Sequence, residues 1–287
     1  MRKIKTEQIT KAVKELSIAA NIELRSDVLA SLKQASKKET NSRAKKILSK
    51  IIENAQLARQ ENLAICQDTG LPVVFVELGE QVEIIGGDLR QAINRGIEQG
   101  YKNASFRNSI IKDPLFLRGK ACLAPTVIHF DIVKGNKLKI TVLPKGFGSE
   151  NKTKLKMFNP TVGLEEIKNF IIEAVKEAGP DACPPYIVGV GIGGTADYAG
   201  LLAKKALLKK IKNQKSKIKT TNQNSKIEKL EETLLKEVNK LNIGPMGLGG
   251  KTTALAVKVS TYPTHIAGLP VCVNISCHAT RSASVVI

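Results

Sequence analysis

At 287 residues the chain is long enough to bury a substantial core, as one large domain or two smaller ones. Aromatic residues make up only 4% and Trp is absent, which argues against a surface that stacks nucleic-acid bases. The net charge of +19 suits a phosphate backbone or a small dianion alike, but the lysines peak between Leu208 and Lys229 and elsewhere the excess is spread thinly.

Met1–Lys5 is basic, yet Glu7 and an amphipathic pattern follow where a signal peptide needs an unbroken apolar stretch. No apolar run is long enough to span a bilayer, so a soluble, cytoplasmic protein without a membrane partner is expected. The N-terminal part, about residues 1–62, reads as helices: Ile9, Val13 and Leu16, then Ile47, Leu48, Ile51 and Ile52, recur at helical spacing. Val73–Leu78 predicts a strand ended by Gly79, and Leu89–Gly100 a helix. Thr126–Val133 and Lys137–Leu143 read as the arms of a hairpin across Lys134-Gly135-Asn136. Leu164–Ala178 is an amphipathic helix stopped by Gly179-Pro180. A strand, a glycine loop and a helix follow through Leu208. Lys209–Lys219 with Thr220–Ser225 then reads as a solvated helix end and a polar loop, a Lys-rich insertion over about 209–229. Strand-like runs at Leu255–Val259 and Val271–Ile275 complete a mixed α/β chain, helical at first and then built of mixed sheets flanked by helices, in a single domain over 1–287.

Two glycine motifs invite nucleotide readings that their context weakens. Gly189-Val190-Gly191-Ile192-Gly193-Gly194 fits GxGxxG, but the acidic residue expected about twenty positions on is missing from a stretch that is nearly all lysine. It reads as a turn that lets backbone approach a ligand. Gly244–Thr253 resembles a P-loop, but Pro245 stands where the first Walker glycine belongs. Its amides, opening a helix with Lys251 beside them, could still hold a carboxylate.

The five cysteines form no CxxC pair, which disfavours a zinc ribbon or a ferredoxin-type run. In the simplest reading all are reduced thiols, some buried and inert, and Cys122 and Cys272 in apolar settings fit it. Cys66, Cys183 and Cys277 stand instead beside polar or Pro-rich residues. Brought together by the fold, three thiolates could hold an iron–sulfur cluster with one iron left open as a Lewis acid. Asp68 follows Cys66 closely enough to exchange a proton with anything bound there, or else it makes an Asx-turn before Thr69-Gly70. Arg107 is a surface arginine or a bidentate clamp for a carboxylate. His265 and His278 flank the last cysteine segment, which tilts both toward function, while His129 lies inside a strand.

Five segments, Ile65–Gly70, Pro144–Asn151, Gly189–Asp197, Gly244–Thr253 and Cys277–Arg281, resemble in order the α region of the iron–sulfur fumarate and tartrate hydro-lyases, the class I fumarase family. The resemblance runs along nearly the whole chain. It implies a 4Fe-4S cluster on Cys66, Cys183 and Cys277, and reversible hydration of a four-carbon dicarboxylate: malate to fumarate, with L(+)-tartrate as the alternative substrate. It implies catalytic roles for Asp68, as the acid, and for His265. Gln67, Arg107 and Gly148 would surround the substrate, with Lys251 supplying a cation. Phe147 stands where the family usually has a glycine, and Arg118–Ala124 is poorer in Asn, Thr and Gly than the family pattern. Single-chain members continue past the position of Ile287 into a second domain that carries further arginines, a lysine and the base. A separate β subunit is therefore expected, in a dimer of α–β pairs. The competing reading is a basic nucleic-acid-binding or scaffold protein without iron, and a Rossmann oxidoreductase ranks third. The three cysteines kept together with Asp68 argue against a nucleic-acid partner.

Overall fold

The structure, a computed structural model, describes residues 1–116, 118–211 and 222–287, the side chains of 222–224 excepted. In chain order the elements are β1 (Arg2–Lys5), α1 (Thr6–Ile22), α2 (Ser26–Lys38), α3 (Ser42–Gln60), β2 (Leu71–Gly79), β3 (Val82–Ile85), α4 (Leu89–Asn103), β4 (Val127–Val133), β5 (Leu138–Lys145) and α5 (Phe147–Glu150). After these come β6 (Lys154–Phe158), α6 (Leu164–Ala178), β7 (Tyr186–Gly194), α7 (Ala196–Ala206), α8 (Asn222–Lys240), β8 (Ala254–Thr264), β9 (Leu269–Ser276) and β10 (Ala283–Val286). Mixed α/β with a helical start is thus the observed class. The backbone divides into two compact units: Met1–Arg25, Asn54–Phe147 and Arg281–Ile287 form the first, and Ser26–Glu53 and Gly148–Thr280 the second.

In the first unit a four-stranded sheet has the order β10-β5-β2-β4. Pro72–Val76 of β2 is an unbroken buried run, which needs a hydrogen-bonded neighbour on each edge. It finds β5 antiparallel, with Leu71 opposite Lys145, and β4 parallel, with Val73 opposite Val127. The expected hairpin of β4 with β5 is therefore not formed, because β2 lies between them. β4, mostly half-exposed, takes the edge, and α4 makes the crossover that parallel pairing requires. Helix α1 crosses α4 closely. A Cβ on Gly96 would sit 2.7 Å from the Thr10 carbonyl oxygen, and one on Gly100 would overlap Ser17. Ile9, Val13, Ile93, Ile97, Val74, Val76, Ile140 and Val142 share the core beneath them.

In the second unit the sheet order is β6-β9-β7-β8, with β7 parallel to β8 and antiparallel to β9. The alternation Val188-Gly189-Val190-Gly191 explains its two faces. The valines join Ile171 and Val175 of α6 and Leu234 and Val238 of α8 in the main core. The glycines face α7, where a Cβ at either would overlap a backbone carbonyl of Ala203 or Ala199. The GxGxxG run is therefore strand, not turn, and the backbone that approaches it is that of helix α7, not a ligand.

Asn222–Ser225, expected as polar loop, begins α8, whereas residues 212–221 of the Lys-rich stretch lie outside the described residues. The short strands β1, β6 and β10 escape periodicity: four or five residues such as Arg2–Lys5 or Lys154–Phe158, rich in lysine, carry the edge-strand composition that blunts pairing but give no clear alternation. Among the described residues no helix is long and apolar enough to cross a membrane.

Candidate functional site

The sequence-predicted residues fall into two groups, one in each unit. In the first, Cys66, Gln67 and Asp68 form the approach to β2. The half-buried Cys66 thiol donates to Gln67 Oε1 at 3.2 Å. Asp68 Oδ1 accepts the Gly70 amide at 2.9 Å, which is the Asx-turn geometry, and Oδ2 accepts the Phe147 amide at 2.8 Å. Two amides thus aim the carboxylate. Gly70 has φ +72, and a Cβ there would meet the Lys145 backbone nitrogen at 2.8 Å, so the turn demands glycine. Arg107 is exposed, and its carbonyl accepts the Thr69 hydroxyl at 3.2 Å. One backbone contact thereby brings it beside the Asp68 loop.

Behind that loop lies a polar network that pattern reading missed. Tyr101 donates to the Thr69 carbonyl at 2.7 Å, and Asn21 Nδ2 donates to the Tyr101 hydroxyl at 3.2 Å. Arg281 Nη2 donates to the Asp68 carbonyl at 2.5 Å, and its Nε donates to Asn21 Oδ1 at 3.3 Å. Burial, more than any neighbour, pushes the Tyr101 phenol up to about 12. Lys145 is buried too, with Nζ donating to the Gly146 carbonyl at 3.2 Å. A polar residue inside an apolar helix or strand, like Asn21 or Lys145, is the signal that could have found this layer.

In the second unit Cys183 and Cys277 are brought to one end of the sheet, just before β7 and just after β9. His278 joins them: its amide donates to the Cys183 carbonyl at 3.2 Å, and its Nδ1 lies 3.1 Å from the same oxygen. Burial raises the Tyr186 phenol, and negative charge at Cys183, Asp181 and Cys277 adds to the shift. Cys183 itself has φ +55. Its turn is buttressed by Gly244–Gly250, where the Met246 amide donates to the Pro184 carbonyl at 2.8 Å and Gly247 packs directly on Pro180. Gly148 lies at the same end, a Cβ there being 3.8 Å from the Asp181 carbonyl oxygen.

Two expectations for this unit are corrected. Gly244–Thr253 leads into strand β8, not a helix, and its amides are already used. Gly250 donates to Asn242 Oδ1 at 3.1 Å, and the Lys251 amide donates to the buried Glu39 carboxylate at 2.8 Å. The loop is thus no anion-binding helix start, although the Lys251 side chain is exposed. His265 precedes β9 whereas Cys277 follows it, so the length of that strand, roughly 25 Å, separates them. The unit does not bring His265 to its own Cys277; the Nδ1 of His265 accepts the Ala267 amide at 3.1 Å. His129, as expected of a structural residue, stacks on Phe75 with ring centroids 5.3 Å apart.

Of the other two cysteines, Cys272 is buried and Cys122 half-buried. Cys122 donates to the carbonyls of Ile110 and Ala124 at 3.2 and 3.1 Å. Burial pushes Cys272 up to about 11. Cys66, Cys183 and Cys277 are all half-buried and within reach of solvent. Each is a soft sulfur donor of the kind an iron–sulfur group takes, although among the described residues no three His, Cys, Asp or Glu side chains stand together as a metal site.

Comparison with known proteins finds one matching family and several named relatives. The family described as Fumarate hydratase (Fumerase) matches residues 10–286. A Methanocaldococcus jannaschii protein provisionally named L(+)-tartrate dehydratase subunit alpha is 40% identical over 284 residues, covering 96% of each chain. The L(+)-tartrate dehydratase subunit alpha of Escherichia coli strain K12 is 28% identical, covering 98% of this chain and 91% of its own length. That of Shigella sonnei matches to the same extent.

Proposed function

The chain belongs to the fumarate hydratase (Fumerase) family, and on that premise we propose that it is the α subunit of a 4Fe-4S-dependent hydro-lyase acting on a four-carbon dicarboxylate. The observation that carries the reading is the pair Cys183 and Cys277, held at one sheet end through His278 in a chain that the family matches almost throughout. Cys66 would be the third ligand. When bound, the cluster supplies an open iron, a Lewis acid toward hydroxyl and carboxylate oxygens.

Dehydration breaks one C–O and one C–H bond, forms the alkene and releases water. Asp68, aimed by its two amides, is our candidate for passing a proton to the departing hydroxyl. Gln67, exposed beside it, would donate to a substrate oxygen, and the exposed Arg107 guanidinium would take a carboxylate in two-point fashion. Lys251 would add a point charge, and Gly148 open backbone without a Cβ. His265 remains a catalytic candidate, although β9 separates it from Cys277 within its own unit.

A separate β subunit would supply the base that removes the carbon-bound proton. The relatives' designation as alpha subunits supports that partner. We further propose a cytoplasmic dimer of α–β pairs in which both units of this chain serve as one functional domain. The family description supports malate and fumarate as substrates, and the relatives' names support L(+)-tartrate.

Anaerobic reconstitution tests the reading. About four irons per chain, with matching sulfide, are expected in the wild type and loss of the cluster in Cys183→Ala. Activity with malate or tartrate is expected only once the β subunit is added. No iron, with salt-sensitive binding of nucleic acid, would replace this reading by the basic-scaffold one. Full turnover by the chain alone would refute the need for a partner.

A further inference from the structure

We propose that Arg281 is a positioning residue: through the backbone of the Asp68 loop it sets where the Asp68 carboxyl and Gln67 point, an inference that rests on the function proposed above. Arg281 is only 2% exposed, so its charge is kept almost wholly from water and must be met by acceptors. Its fork meets two at once, the Asp68 carbonyl at 2.5 Å and Asn21 Oδ1 at 3.3 Å. Asn21, 1% exposed, passes the constraint to Tyr101, whose hydroxyl grips the next carbonyl, that of Thr69. Two successive carbonyls of the loop are thus pinned from behind by buried side chains, while the Asp68 carboxylate is pinned from the front by the Gly70 and Phe147 amides. A loop held on both sides has one geometry. Releasing the rear leaves the front bonds to hold a loop that can shift, and sub-ångström errors in the position of a proton donor are costly.

Arginine is required because a lysine carries the charge without the fork and cannot serve both acceptors in that geometry. Arg281→Lys therefore isolates the clamp. Amide hydrogen exchange on the cluster-free chain is the first readout. The Gly70 and Phe147 amides should exchange roughly ten-fold faster in the variant while the Val74 amide in β2 keeps its protection. Unchanged exchange at Gly70 and Phe147 overturns the proposal. So does equal loss of protection at Val74, which would mark Arg281 as a general stabiliser.

Should Arg281→Lys fail to fold, Tyr101→Phe removes only the hydroxyl behind Thr69 and should show a smaller change at the same two amides; none there overturns the proposal. In the assembled enzyme, kcat should fall about ten-fold or more with KM within roughly two-fold. A rise in KM with kcat held overturns a role in positioning the acid. If the wild-type assembly turns over neither malate nor tartrate, the proposed function alone fails, and the exchange data still decide whether the clamp exists.

Discussion

The two groups of site residues are held by opposite means. In the first unit the Cys66–Gly70 loop is fixed mainly by buried side chains, namely Arg281, Asn21 and Tyr101, reaching for its carbonyls. In the second, Cys183 is fixed mainly by missing side chains: Gly244 and Gly247 let a loop close on itself and on Pro180, and backbone amides make the bonds. A loop held by side chains should fail when an atom is removed, and one held by close backbone approach when an atom is added. On the proposed function, the first loop would place the acid and the second a cluster ligand.

The sharpest way to break this contrast is to add one carbon to the second group. In Gly244→Ala the new Cβ would overlap the Gly249 carbonyl at a backbone φ of +70. A loss of about 2–4 kcal/mol is expected, seen as a lower melting temperature with retained far-UV circular dichroism. A fully stable variant would mean that the loop relaxes freely.

A middle-sized effect is expected from Tyr101→Phe, about 1 kcal/mol near neutral pH for one buried hydrogen bond. Its pH dependence is more telling. The folded phenol titrates at about 12 against an ordinary 10.0, so the unfolded chain releases a proton that the folded one keeps. Stability should therefore hold below pH 10.0 and fall from there toward about 12, with a limiting slope near 1.4 kcal/mol per pH unit. Denaturant titrations across that range should show a shallower fall in Tyr101→Phe, and equal slopes would contradict the burial of this hydroxyl.

The smallest effect is the control. A Cβ on Gly146 would meet only Asp68 Oδ2, at 3.4 Å. Gly146→Ala should cost no more than about 0.5 kcal/mol. A cost comparable with that of Gly244→Ala would erase the contrast between the two groups.

Much of this was legible before any coordinates. Leu164–Ala178, stopped by Gly179-Pro180, stands as read, because amphipathic spacing and a stop signal are local. The reading of Cys272 as a core thiol stands too, but Cys122 is half-buried like Cys66, Cys183 and Cys277, so burial does not divide the thiols as their sequence neighbours do. The expected β4–β5 hairpin does not form, because turn residues between two strands say nothing of a third strand, distant in sequence, that can enter between them. The glycines of β7 lie in a strand where their motif suggests a turn, because a motif does not say what approaches it.

The sequence by itself determined composition, periodicity, the family segments and which residue types could do chemistry, all properties of neighbours along the chain. Only the tertiary structure decided that Arg281 grips a loop more than 200 residues earlier, that His278 ties Cys277 to Cys183, and that β9 carries His265 away from both. Those are contacts between distant segments, chosen by which arrangement leaves the fewest buried polar groups without partners, and no local pattern encodes that choice.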